Sequence, residues 1–418
     1  MTSRFCFNIS IYENLKNFFK IFFFKKKNYE KDLISELSLF YENSNFYFFD
    51  HGRTAFYEIL NQLKKKTNKR KILINSFTLF EIINVIIYSG FQPIFIDTKK
   101  NSFHTDIDLN NHKSNIDDLA AIVITHLNGI NLNILDLTEQ VANHNRNNEK
   151  IYLIEDCAVA LGSQIGKKNV GTFGDYSFLS FNIMKNITSY TGGVLVNNQD
   201  ENFEIDNLKY KILSRTAILK KILFVIIIQL LNTRIFFPLF FKIIKYYHKY
   251  SINFFLKKYR TDFEIKIEKR FPVQFSSFMH PYQKKILISQ FRDLKKKQFT
   301  RIQKAEIYFN NLKEIKYLNF AQVDFNEKNI FLEFPIILNS KDIKDELFQY
   351  LIDKKIDVKN YYYKNCSEEK IYSENSNFCL NSKHISENIL MLPVHEKIFK
   401  NYQYKIISEI KFFFKRKN

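Results

Sequence analysis

The chain has 418 residues, 45% of them hydrophobic, and a formal net charge of +20. That length and apolar share allow a large buried core and exclude a disordered chain. The charge follows a general excess of Lys, Asn, Ile, Phe and Tyr, with no Trp, 9 Gly and 6 Pro; lacking an arginine-rich block or zinc-finger spacing, it points to no nucleic-acid partner.

Residues 1–44 read as an N-terminal helical segment. Its stretch "NFFKIFFFKKKN" is apolar but short, lysine-flanked and without a small-residue cleavage site, so it does not read as a signal peptide. Cys6, Cys157, Cys366 and Cys379 show no CxxC spacing and fit a reducing compartment. The expectation is a cytoplasmic protein.

Residues 45–204 read as a large α/β domain. Short apolar runs recur as "FYFFD", "KILIN", "PIFID", "AAIVITH", "IYLIE", "DYSFLSF" and "GGVLVN". Rich in β-branched and aromatic residues, they predict a mostly parallel seven-stranded sheet buried on both faces. Helical stretches lie between them, such as "TAFYEILNQLKKK" and "FEIINVIIYSG", the second stopping at Gly90. Ligand groups in such folds gather at the carboxyl ends of strands. Asp50, Asn75, Asp97, His126 and Asp156 fall there.

Residues 205–270 form an apolar insert. Its core, Leu219 to Tyr250, is interrupted by Asn232, Thr233, Arg234 and Pro238 and rimmed by lysines at 220, 221, 242, 245 and 249. A bilayer-crossing helix needs an unbroken run of about 20 apolar residues, so a simple span is not expected. Two readings stay open: a buried helical hairpin at a subunit interface, or a helical pair lying on the membrane surface. Residues 271–418 then read as a long amphipathic helix, "HPYQKKILISQFRDLKKKQFTRIQKAEIYFNNL", followed by a smaller α+β domain that includes the Tyr-rich loop "NYYYKN".

The chemistry centres on "SFNIMKNITSYTGG", Ser180 to Gly193. A lysine that bonds an aldehyde cofactor needs a carboxylate for the cofactor's ring nitrogen, a phosphate cradle and a place at strand ends. Lys185 has candidates for each. Asp156 ends the strand "IYLIE", and Ser180 ends "DYSFLSF" with a hydroxyl suited to phosphate. "HGRTAF" opens a helix directly after a strand, so the amides of Gly52, Arg53 and Thr54 suit an anion, with the Thr54 hydroxyl beside them. Taken singly each signal is weak; the order and spacing together are specific.

These motifs resemble the DegT/DnrJ/StrS family of pyridoxal-phosphate-dependent sugar aminotransferases, which have the type I aminotransferase fold. The matching elements are Gly52-Arg53-Thr54-Ala55, "GFQPIFID" ending at Asp97, His126 to Gly129, Asp156 to Gly162, and Ser180 to Gly193. The resemblance covers roughly 45–200 and 270–400 and leaves out the insert. It implies that Lys185 forms the Schiff base with pyridoxal 5'-phosphate and later moves the substrate proton. Asp156 would pair with the pyridine nitrogen. Ser180 and the Gly52–Arg53–Thr54 helix start would hold the phosphate.

The resemblance further implies a homodimer, an amino-acid donor such as glutamate and a nucleotide-linked keto sugar, with the product used in surface polysaccharide synthesis; it implies no metal. The chain departs from the family pattern at four places. Val159 stands where Gln or His is usual, and Tyr190-Thr191 where Gly-Glu is. Leu79 stands for a stacking aromatic that Phe77 or Phe80 could replace. Ser276-Ser277-Phe278-Met279 replaces Asn-Tyr-Arg-Met. The alternative reading is a non-catalytic, cofactor-binding or membrane-associated regulatory or scaffold homologue. In either case the insert, 219–250, is a candidate for peripheral contact with the inner membrane face.

Overall fold

The computed structural model describes residues 3–4, 7–25, 27–105, 107–109, 118–132, 134–206, 209–233, 235–250, 271–360, 363–372 and 379–417. Cys6, Arg234 and the middle of the Tyr-rich loop lie outside the described residues.

Seven strands form the body of a nine-stranded sheet: β1 (Asn45–Phe49), β2 (Lys71–Asn75), β3 (Gln92–Ile96), β4 (Leu119–Thr125), β5 (Tyr152–Asp156), β6 (Tyr176–Ser180) and β7 (Gly193–Asn197). They correspond one for one to the seven apolar runs. Across the sheet the order is β1-β7-β6-β5-β4-β2-β3. The four pairings from β6 to β3 are parallel, and β7 runs against both its neighbours. β4, β5 and β7 are buried along their whole length, which is why their sequences are unbroken apolar runs. Two short strands, Ser277–Phe278 and Lys211–Ile212, extend the sheet beyond β1.

The parallel strands all point their carboxyl ends the same way, and the candidate residues sit along that edge. The helix after β1, α3 (Gly52–Lys66), ends in Lys64, Lys65 and Lys66, where cations suit the negative end of the helix dipole. Two helices precede the sheet, α1 (Ile11–Lys20) and α2 (Glu30–Ser38); α4 (Phe80–Tyr88) and α5 (Leu135–Asn145) complete this half. Ser10 and Glu13 close a reciprocal capping box at the start of α1.

Among its described residues the insert holds two helices, α6 (Arg215–Leu231) and α7 (Phe237–Tyr250). α6 packs on α1, and Ile218, Ile222, Val225 and Ile226 are buried with Ile9, Ile21, Phe24, Tyr190 and Tyr282. Phe237, Phe240 and Phe241 join the core shared with the C-terminal half. Among the described residues no helix is long and apolar enough to cross a membrane.

The expected long helix is α8 (Pro281–Leu312). It starts with proline at its first position, where the missing N–H costs nothing, and a box formed by His280 and Gln283 caps it. After it, β8 (Leu318–Asn319), β9 (Phe334–Leu338) and β10 (Ile389–Leu392) make a three-stranded antiparallel sheet with α9 (Lys341–Asp353), α10 (Leu380–Asn388) and α11 (Lys400–Lys415). Asp97 joins the two halves: its carboxylate accepts the amides of Asn381 (2.9 Å) and Ser382 (2.8 Å) at the start of α10.

Candidate active site

Three backbone elements meet at the carboxyl edge of the sheet: the end of β5, the β6–β7 loop and the start of α3. Asp156 ends β5, buried, and its Oδ1 accepts the Ala158 amide at 2.9 Å. Glu155, beside it, faces the other way. It accepts the amides of Gly171, Phe173 and Gly174, each at 2.7 Å, and contacts His126 Nε2 at 3.1 Å. His126 Nδ1 accepts the Leu132 amide at 3.3 Å, so Nε2 carries the proton given to Glu155. His126, Glu155 and Cys157 could by position hold a metal ion. The Glu155 oxygens and His126 nitrogens are already committed, which makes this group a brace for the strand end.

Lys185 rides on the loop between β6 and β7. Phe181 donates to the Gly192 carbonyl (2.8 Å) and Ser189 to the Phe181 carbonyl (3.1 Å), closing the loop at its neck. Gln290 of α8 clamps Thr188 through both its amide and its carbonyl. Asn8 donates to the Lys185 carbonyl at 2.5 Å. The lysine itself is half-buried and lines a cavity with Ala158, Val159, Ser180 and Asn186.

Burial sets the electrostatics of the pair. It pulls the Lys185 amine down to about 8; Asp156 opposes this, while Lys359 and Arg53 add to it. Burial likewise lifts the Asp156 carboxyl to about 6, against the Ala158 amide, Lys185 and His126. Glu81 of α4 belongs to the same field: burial raises its carboxyl, and Arg53 and Lys185 lower it.

The third element is the start of α3. A Cβ on Gly52 would lie 3.0 Å from the Ser180 Cβ and 3.1 Å from the Leu179 carbonyl, so only glycine lets the helix start approach the end of β6 this closely. A Cβ on Gly193 would fall 2.1 Å from the His51 carbonyl. The first amides of a helix have no internal partner. Here the Thr54 amide is the exception, donating to the His51 carbonyl at 3.1 Å. Arg53 stacks over the Phe275 ring (4.4 Å) and faces Glu81 (3.9 Å).

One expectation needs correction. The Thr54 hydroxyl points away from any anion at the helix start, donating to the Phe275 carbonyl at 2.6 Å with Asp50 at 3.3 Å. A hydroxyl has one proton, and the docking of residues 275–278 against β1 takes it.

Pyridoxal 5'-phosphate fits these groups. An amine of lowered basicity and a buried carboxylate share the strand ends. Gly52 lets the helix start pack against the end of β6, and the Ser180 hydroxyl beside it has no hydrogen-bond partner among the described residues. Asn186, in the same cavity, adds a buried Oδ1 without a hydrogen-bond partner among the described residues. Asp156, Lys185, Ser180, Gly52, Arg53 and Thr54 do come together at one edge. Asp50, Asn75 and Asp97 serve local structure: Asn75 Oδ1 accepts the Phe77 amide at 2.9 Å, and Asp97 caps α10. Glu81, Lys359 and Asn8 join the site without any sequence signal, since only tertiary packing brings them there.

Fold and site together define an α/β protein with a lysine–aspartate pair beside a helix start that glycine packs against the sheet. The chain belongs to the DegT/DnrJ/EryC1/StrS aminotransferase family, whose model matches residues 24–216 and 244–411. It is 34% identical over 134 residues to GDP-perosamine synthase of Vibrio cholerae, covering 32% of this chain and 35% of that protein. It is 30% identical over 155 residues to UDP-4-amino-4,6-dideoxy-N-acetyl-beta-L-altrosamine transaminase of Campylobacter jejuni, covering 37% and 39%. The matched stretches span about a third of the length of these curated relatives.

Solved structures agree on the fold over nearly the whole chain. Helicobacter pylori PseC, an aminotransferase of pseudaminic acid biosynthesis, superposes with a TM-score of 0.67 at 17% identity, covering 97% of this chain and 96% of its own. An aminotransferase from Psychrobacter cryohalolentis gives 0.69 at 15% identity and 99% of both chains.

Proposed function

We propose that the protein is a pyridoxal-phosphate-dependent aminotransferase that moves an amino group from a donor such as glutamate to a keto group of a nucleotide-linked sugar, for surface polysaccharide synthesis. The observation that carries this reading is the Lys185–Asp156 pair, one amine near about 8 and one carboxyl near about 6, set beside the Gly52 helix start. The relatives named for perosamine and altrosamine sugars support the substrate class.

When bound, the cofactor supplies an electron sink for the substrate carbon. Asp156, ionised at neutral pH, holds the proton on the ring nitrogen and so keeps that sink effective. The amides of Gly52 and Arg53, with the Ser180 hydroxyl, bind the phosphate. Lys185 would hold the cofactor and, once the amino donor displaces it, would move a proton between the substrate carbon and the cofactor in each half-reaction, a role suited to an amine of lowered basicity. Borohydride reduction with the cofactor present, followed by peptide mapping, tests this. A pyridoxyl group should be found on Lys185; label elsewhere, or none, rejects the assignment.

The enzyme is further proposed to be a cytoplasmic homodimer with a peripheral hold on the inner membrane face. Supporting the latter, Leu223, Phe224, Ile227 and Leu230 on α6 and Leu15, Phe19, Phe22 and Phe23 at α1 are exposed, with lysines among them.

A further inference from the structure

Tyr190 stands at a backbone position that glycine would take more easily. Its φ is +71°, in the left-handed region that strains a bulky side chain. Something must hold it there. The ring is fully buried among Ile218 and Ile222 of α6, Ile21, Phe24 and Tyr282.

Its hydroxyl donates to Asn14 Oδ1 at 2.5 Å and accepts from Asn17 Nδ2 at 3.1 Å, both on α1. Asn14 Nδ2 in turn donates to Gln229 Oε1 of α6 at 2.8 Å, and Gln229 donates to the Ile9 carbonyl at 2.6 Å. Tyr282 of α8 donates to Asn17 Oδ1 at 3.0 Å. A buried polar chain thus runs from the insert, through the N-terminal helix, to the loop that carries Lys185. The segment leading into α1 also grips that loop directly, through Asn8 and the Lys185 carbonyl.

We infer that Tyr190 is a positioning residue for Lys185, and that α1 and the insert helix α6 form the support that fixes the lysine loop through it. Residues outside the family's shared core thereby set the geometry of its catalytic amine. The inference deepens the aminotransferase reading but concerns the amine itself, so it can be tested without cofactor. Polar chains of this kind act as units, and breaking one member is felt along the chain.

The test uses the full chain and two variants at opposite ends of the network, Tyr190→Phe and Gln229→Leu. The first reading is cofactor-free: the rate at which acetic anhydride acylates Lys185 across pH, followed by peptide mapping against the exposed lysines as references. Each variant should change the Lys185 rate near neutral pH about fivefold or more, with the reference lysines unchanged, and the double variant should change it by less than the product of the two. With pyridoxal phosphate added, the pH midpoint of the bound cofactor's visible band should move in the same variants. A lowered melting temperature with an unmoved Lys185 rate would overturn the inference and leave Tyr190 a packing residue. If the wild-type chain gives no visible band while the Lys185 rates shift as stated, the aminotransferase reading falls and the positioning role stands. Should Tyr190→Phe not fold, Gln229→Leu decides alone by the same criterion.

Discussion

Burial charges the site an energetic cost, and that cost predicts what Asp156→Asn does to the cofactor-free protein. The carboxyl is raised from its ordinary 3.8 to about 6, chiefly by burial. Holding it ionised near neutral pH therefore costs about 3 kcal/mol relative to the unfolded chain. Asparagine removes that charge with little change in shape. That cost is already net of the attraction of Lys185, one of the groups that lower the carboxyl, so nothing further is subtracted for the amine, which can shed its proton if its own value falls. The variant should gain about 3 kcal/mol near neutral pH.

The pH dependence has a definite sign. A carboxyl whose folded value is raised contributes most stability below its unfolded value, and loses it as pH rises through the folded one. The wild-type protein should therefore gain on the variant on acidification between about 6 and 3.8, and the difference should vanish near the lower limit. Urea denaturation of both proteins, stripped of cofactor, measures this at several pH values. A variant no more stable than wild type at neutral pH, or a gain that persists on acidification, would refute the reasoning. Turnover moves the opposite way: the variant should keep some cofactor and lose most activity.

Lys185→Ala should abolish transamination while circular dichroism shows the fold intact, and in the wild-type protein the rate of cofactor capture should rise as pH passes through about 8, where the amine loses its proton. Gly193→Ala places a methyl group 2.1 Å from the His51 carbonyl; because backbone cannot yield, the melting curve should show a loss at or above the usual 1 to about 3 kcal/mol of overpacking. The membrane proposal is checked by flotation with anionic liposomes: wild type should float and Phe224→Glu/Ile227→Glu should not. If wild type stays in solution and the double variant becomes monomeric, the outward face of α6 is a subunit interface instead.

The sheet was legible because its central strands are buried on both faces, so that runs such as "AAIVITH" and "GGVLVN" carry their assignment in composition alone. Lys185, Asp156, Ser180 and Gly52 were legible for a related reason, since each lies within a residue or a short loop of a strand end. Tertiary contributions left no such trace. Asn8 reaches the Lys185 carbonyl from 177 residues away. Glu81 enters the site from a helix whose sequence shows only an apolar face.

The insert was ambiguous for a different reason. Ile218, Ile222 and Val225 are buried, yet Leu223, Phe224 and Ile227 beside them are exposed, so α6 is apolar all round and its sequence marks no inward face. A helix of that kind needs cover on both sides. One side has it within the chain, from α1 and Tyr190. Gln229 is the polar residue that tells the two sides apart, since it is buried and bonded to Asn14. The other side carries the apolar surface that remains, so a second covering element, whether bilayer or second subunit, would act on the same helix that steadies the lysine loop.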